Sequence, residues 1–328
     1  MRKIILSIIA LISAYCVQAQ EPQRYFQYPE PPESLVSLDQ RTSFLVEHFW
    51  ERCNLKSAFS SRAKMHEAFN DYVSFMPYAD TTVVCNSVRK LISDVKKAVP
   101  AQLPVLFEMA ESSLYSDSAE FPIDQVYMIF ANTAAKSKEV AKDARERYSR
   151  QASQLGASIV GQKLPNISMT TSTGESKKMN DISASYILIL FDDPDDPENM
   201  MARVRLSADY SLNKLIERGD MTVISLYPGT ADQEWKNRIA TYPSNWIVAA
   251  SPESDRYFDR RNKPTIYYAN KNQEILSKSL LAENLLVAFR KVLQNKEQIE
   301  TAREAAKQKA LEQQKKENES PVITDNDR

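Results

Sequence analysis

The stretch Tyr186-Ile187-Leu188-Ile189-Leu190-Phe191-Asp192-Asp193-Pro194-Asp195-Asp196-Pro197-Glu198-Asn199 decides how this 328-residue chain folds. Its first six residues are a continuous apolar run closed by an Asp-Pro cluster, the pattern of a strand buried on both faces. The acidic run that follows reads as a helix start. Asp196 is a good N-cap, Pro197 suits the first helical position, and Glu198 and Asn199 fall in the first turn. The partial positive charge of a helix N-terminus favours carboxylates there. A second reading treats Asp192, Asp193 and Asp195, with Asp196 and Glu198, as oxygen ligands for calcium. The run has no glycine for the sharp turn of a calcium loop.

Outward from this stretch, glycine divides the chain. All five glycines lie at or beyond Gly156. A long segment without glycine is hard to build from tight hairpins and easy to build from helices. Apolar residues recur there at helical spacing. Phe44, Leu45, His48, Phe49 and Arg52 form one stripe, and Met65, Phe69, Tyr72 and Met76 another. Val84, Val88, Leu91, Ile92 and Val95 follow, then Leu106, Met109, Ala110 and Leu114, then Val126, Ile129 and Phe130. Pro77, Pro100, Pro104 and Pro122 punctuate them. A polar helix from Lys138 to Ser153 closes this half.

Beyond Gly156 the grammar is that of alternating strands and helices. A hairpin is expected over 166–179, turned at Ser172-Thr173-Gly174. The buried strand 186–191 leads to a helix from Pro197 to Glu217 ended by Gly219. A strand 221–226, a helix 231–241, an antiparallel pair 265–269 and 274–278, and a helix 282–294 complete the order.

Arg2 and Lys3, the apolar run 4–14 and the small-residue site Val17-Gln18-Ala19 read as a secretory signal cleaved after Ala19. Tyr15 argues against a lipoprotein anchor at Cys16. The expected organisation is a signal peptide 1–19, an extended leader 20–36, an all-helical domain 37–153, an α/β domain 156–294 and a charged helical or disordered tail 295–328. The protein is expected in the periplasm or secreted. No other segment reaches the length of a membrane span.

The formal net charge is -1, which predicts no electrostatic footprint for nucleic acid. Two histidines, His48 and His66, leave the second half without imidazole. His48 reads either as a core histidine or as a partner for Cys53. No phosphate-binding loop or dinucleotide fingerprint occurs, so no cofactor is expected. Cys53 and Cys85 either form a disulfide in an oxidising compartment or remain two separate buried thiols.

Several motifs together carry a family resemblance. They are Gly161-Gln162-Lys163-Leu164-Pro165-Asn166-Ile167, the hairpin Gly174, the strand 186–191, Glu234-Trp235, Trp246, and Tyr257 followed at Pro264-Thr265. Over about 130 residues this region resembles the thioredoxin-like thiol–disulfide oxidoreductases of the secreted or membrane-tethered bacterial type. The helical half resembles an uncharacterised domain of envelope proteins of Bacteroidota. The resemblance implies a thioredoxin-like α/β fold (a central mixed sheet flanked by helices) preceded by an all-α domain, and a cis bond before Pro264. It also implies a C-x-x-C dithiol where this chain has Asp196 and Asn199. No cysteine occurs from Gly156 onward. Dithiol exchange needs a thiolate, so that domain alone cannot perform it. The expected role is non-catalytic: binding an exported or envelope polypeptide in a groove near Asp193, Asp195, Asp196, Lys263 and Pro264. The rival is a redox enzyme that uses Cys53 and Cys85 or a partner's cysteines.

Overall fold

The computed structural model describes residues 26–278 and 282–319. The expected signal peptide, Cys16 and the stretch 320–328 lie outside the described residues. The chain divides into two compact units between Tyr148 and Ser149.

The first unit is helical: α1 (Leu38–His48), α2 (Leu55–Ala58), α3 (Arg62–Phe75), α4 (Thr81–Ala98), α5 (Leu103–Leu114) and α6 (Asp124–Lys136). Asp80 caps α4, its Oδ1 accepting from the amides of Thr82 and Val83 at 2.9 and 3.0 Å. The stripes of α3, α4 and α5 are buried as their spacing predicts. In α1 the buried residues are Thr42 and Val46; of the expected stripe only Phe49, at the helix end, is buried, while Phe44, Leu45 and His48 are half-buried and Arg52 is exposed. Tyr72 donates to Ser87 Oγ at 2.7 Å, and Ser87 donates to the Val46 carbonyl at 2.6 Å. This chain satisfies buried polar atoms and ties α1, α3 and α4 together. The leader is anchored too: Tyr28 is buried against Phe49 and donates to Asp71 Oδ2 at 2.7 Å. Helix α7 (Lys142–Ala157) carries the division between the units and starts four residues later than expected.

The second unit is a seven-stranded mixed sheet in the order β2-β1-β5-β4-β3-β6-β7. The strands are β1 (Ser168–Thr171), β2 (Ser176–Lys178), β3 (Tyr186–Phe191), β4 (Met221–Tyr227), β5 (Ile247–Ala250), β6 (Ile266–Asn270) and β7 (Ile275–Lys278). β3 pairs parallel with β4 and antiparallel with β6. Alternation splits its side chains: Leu188 and Leu190 face one core with Leu206, Leu212, Trp235 and Phe289, while Ile187, Ile189 and Phe191 face another with Met179, Phe258 and Tyr267. Both faces are covered, which is why the strand is apolar at every position.

The expected single helix 197–217 is two, α8 (Pro197–Ala208) and α9 (Tyr210–Glu217). Asp209 breaks it by capping α9 through the Leu212 amide at 2.8 Å. Gly219, at φ 72°, ends α9 with the paired bonds Gly219 N to Ile216 O and Asp220 N to Leu215 O. The helix α10 spans only Gln233–Arg238. The last helix, α11 (Ala282–Glu319), continues past Gln294 into the charged stretch, which is helical as far as Glu319. Among the described residues no helix is long and apolar enough to cross a membrane.

Candidate functional site

β3 delivers Asp192 into the interior and α8 starts five residues later, at Pro197. Asp196 is the N-cap of α8, with Oδ1 accepting from the Glu198 and Asn199 amides at 2.9 and 3.2 Å. Its other oxygen receives Lys263 Nζ at 2.5 Å. Hydrogen bonding to Lys263 holds the Asp196 carboxyl below the usual range, assisted by the two amides, and raises Lys263 in turn. The Lys263–Pro264 peptide bond is cis. Asn199 is buried, and its Oδ1 has no hydrogen-bond partner among the described residues.

Next to this pair lies a cavity of about 330 Å³ lined by Pro197, Glu198, Met201, Ala202, Arg205, Pro264, Ala282 and Glu283. Its walls are mostly apolar, and an Arg205–Glu283 ion pair stands at the side. The exposed face of α8 continues the apolar surface with Met200 and Val204.

The acidic run does not converge. Asp192 is fully buried, accepting from Arg203 Nη1 at 2.5 Å and from Ser225 Oγ at 2.9 Å. Arg203 also donates to Tyr242 OH at 2.5 Å and lies over its ring. Burial pushes the Asp192 carboxyl up, against the pull of Arg203 and Ser225. Asp193 Oδ1 turns back to the Asp195 amide at 3.1 Å, and Asp195 pairs with Arg238, which also holds Glu234. The calcium reading of Asp192, Asp193 and Asp195 is therefore corrected: three carboxylates serve three different partners. Among the described residues no group of three or more His, Cys, Asp or Glu side chains could hold a metal ion. Of the groove residues expected from sequence, Asp196, Lys263 and Pro264 come together, while Asp193 and Asp195 turn to other partners.

Cys53 and Cys85 are both free, so the disulfide alternative is not realised. Burial pushes the Cys53 thiol up to about 11, which leaves little thiolate near neutral pH. His48 is neither a core histidine nor a partner of Cys53. It is partly exposed, packs at a tilt against Phe44 and shares a 2.8 Å contact with Glu51 Oε1.

Sequence reasoning missed Arg203, Tyr242, Met201 and Arg205. Met201 and Arg205 carried a weak signal, lying four and eight positions after Pro197 on the helix. Arg203 and Tyr242 carried none.

A thioredoxin-like protein from Bacteroides caccae has a crystal structure that superposes with a TM-score of 0.69, covering 82% of this chain and 99% of that one at 20% identity. The fold is thioredoxin-like. Residues 10–158 match the domain of unknown function DUF5106. The thioredoxin domain of a thiol-disulfide oxidoreductase from Bacteroides vulgatus is 19% identical, with a TM-score of 0.35 over 42% of this chain and 99% of its own. A thiol:disulfide interchange protein from a Bacteroides species is also 19% identical, with a TM-score of 0.36 over 42% of this chain and 92% of its own. No curated protein matches the chain. This chain thus combines a region that matches DUF5106 with a thioredoxin-like fold. Asp196 and Asn199, where a dithiol was expected from the resemblance, are an ion-paired N-cap and a buried asparagine.

Proposed function

We propose that this chain is an exported, redox-inactive thioredoxin-like protein that binds an extended segment of an exported or envelope polypeptide. The observation that supports the reading is the Asp196–Lys263 pair beside the cis Lys263–Pro264 bond, where the family resemblance implies a reactive thiol. A fixed carboxylate cannot attack a disulfide, and no thiol occurs elsewhere in the unit. Export is supported by the N-terminal signal pattern. The groove supplies what an apolar polypeptide segment needs: mostly nonpolar walls, flanked by charges already paired with one another.

The test compares partners captured from the cell envelope by the wild type, by Met201→Asp and by Asp196→Ala/Lys263→Ala. The groove reading predicts that Met201→Asp loses the partner while remaining folded by circular dichroism. Capture unchanged in both variants would place recognition elsewhere on the protein. The rival use of Cys53 as a redox thiol is disfavoured by its raised pKa.

A further inference from the structure

We propose that Met200 and Met201 form an oxidation-sensitive site at the mouth of the groove, so that the helix which has lost its dithiol still answers to oxidant through thioethers. The distribution of methionine carries the idea. Among the described residues Met65, Met76, Met109, Met169, Met179 and Met221 are buried, and Met128 is partly so. Met200 and Met201 alone stand open, at 44% and 47% exposure. They are adjacent, in the first turns of α8, and Met201 lines the cavity.

The chemistry needs only a hydroperoxide. With hydrogen peroxide the thioether sulfur attacks one oxygen, an S–O bond forms as the O–O bond breaks, and the displaced hydroxide leaves as water after taking up the proton shed by the S–OH sulfonium. Sulfur is oxidised by two electrons and the peroxide is reduced by two, giving methionine sulfoxide. The product places a strong acceptor on an apolar wall. The cations beside the groove are ion-paired, Arg205 with Glu283 and Lys263 with Asp196, and Met201 itself is open to solvent. A sulfoxide at Met201 therefore finds its hydrogen bonds in water, and a chain entering the groove would strip them away. Oxidation empties the groove. This consequence for a bound polypeptide rests on the groove reading above; the site of oxidation does not.

The experiment treats the full chain with limiting hydrogen peroxide and maps sulfoxide by peptide mass spectrometry. Met200 and Met201 should convert at least tenfold faster than the six buried methionines. Rates within threefold of those would overturn the site. In a second arm 1-anilinonaphthalene-8-sulfonate reports the apolar surface. Its fluorescence with wild type should fall at least twofold after peroxide and stay unchanged with Met200→Leu/Met201→Leu. A signal that peroxide leaves intact in wild type, or lowers equally in the double variant, would overturn the switch. Neither arm uses a polypeptide partner, so a failed capture experiment leaves both readouts standing.

Discussion

Asp196 uses one carboxylate for two tasks, capping α8 with Oδ1 and holding Lys263 with Oδ2. The tasks separate by substitution. Asp196→Ala should cost about 1 kcal/mol in urea denaturation, the usual loss of a cap. Asp196→Asn keeps the cap and loses only a pair whose lysine is largely in water, worth less than about 1 kcal/mol. Equal losses would mean the ion pair outweighs the cap. Deeper in, removing Arg203 strands a buried carboxylate. Arg203→Ala should cost about 3–5 kcal/mol, and the double variant Asp192→Leu/Arg203→Met should recover most of it. A second buried carboxylate, Asp259, accepts from Arg261 and Lys278 at 2.6 and 3.1 Å. Burial acts to raise it, but the two cations prevail and hold it below the usual range. A lowered folded pKa gives stability that is present above about pH 4 and lost as pH falls through the folded value. Asp192, raised by burial, runs the other way: its contribution is present below about pH 4 and fades as pH rises through its higher folded pKa. Thermal melts between pH 6 and 3 should therefore show a shallower acid loss in Asp259→Asn than in wild type. A steeper loss in the variant would reverse the assigned sign.

At the scale of elements, legibility followed burial. Strand β3 could be read from sequence because both its faces are covered and every position from Ile187 to Phe191 is apolar. Strand β5 went unread: Ile247–Ala250 is four residues long, without alternation, between Trp246 and Ser251. The break at Asp209 was hidden because no Gly or Pro marks it, yet an aspartate followed three residues later by a bonded amide is an ordinary cap. The cap at Asp196 was visible because Pro197 follows it directly. The Asp192 network was invisible, since Arg203, Ser225 and Tyr242 lie 11, 33 and 50 positions away and only the fold assembles them. For α11, the residues beyond Glu300 are exposed as far as Lys315. Ending the chain after Thr301 keeps the Arg218–Glu300 and Lys296–Asp220 pairs, and stability should change by less than about 0.5 kcal/mol. A larger loss by urea denaturation would mean that the exposed helix supports the unit.

At the scale of the whole molecule, a thioredoxin-like fold sets a cis-proline and a groove beside Asp196 and Asn199, an ion-paired cap and a buried amide where the sequence resemblance implied a dithiol. The two cysteines of the described chain belong to the helical unit, both free, Cys53 with its thiol pushed up by burial. The central claim is that this arrangement performs no thiol–disulfide chemistry. Dithiothreitol-dependent reduction of insulin measures it most directly, followed by turbidity with purified full-length protein. The account predicts a rate indistinguishable from the protein-free control. Turnover above that control which disappears in Cys53→Ser or Cys85→Ser would contradict it.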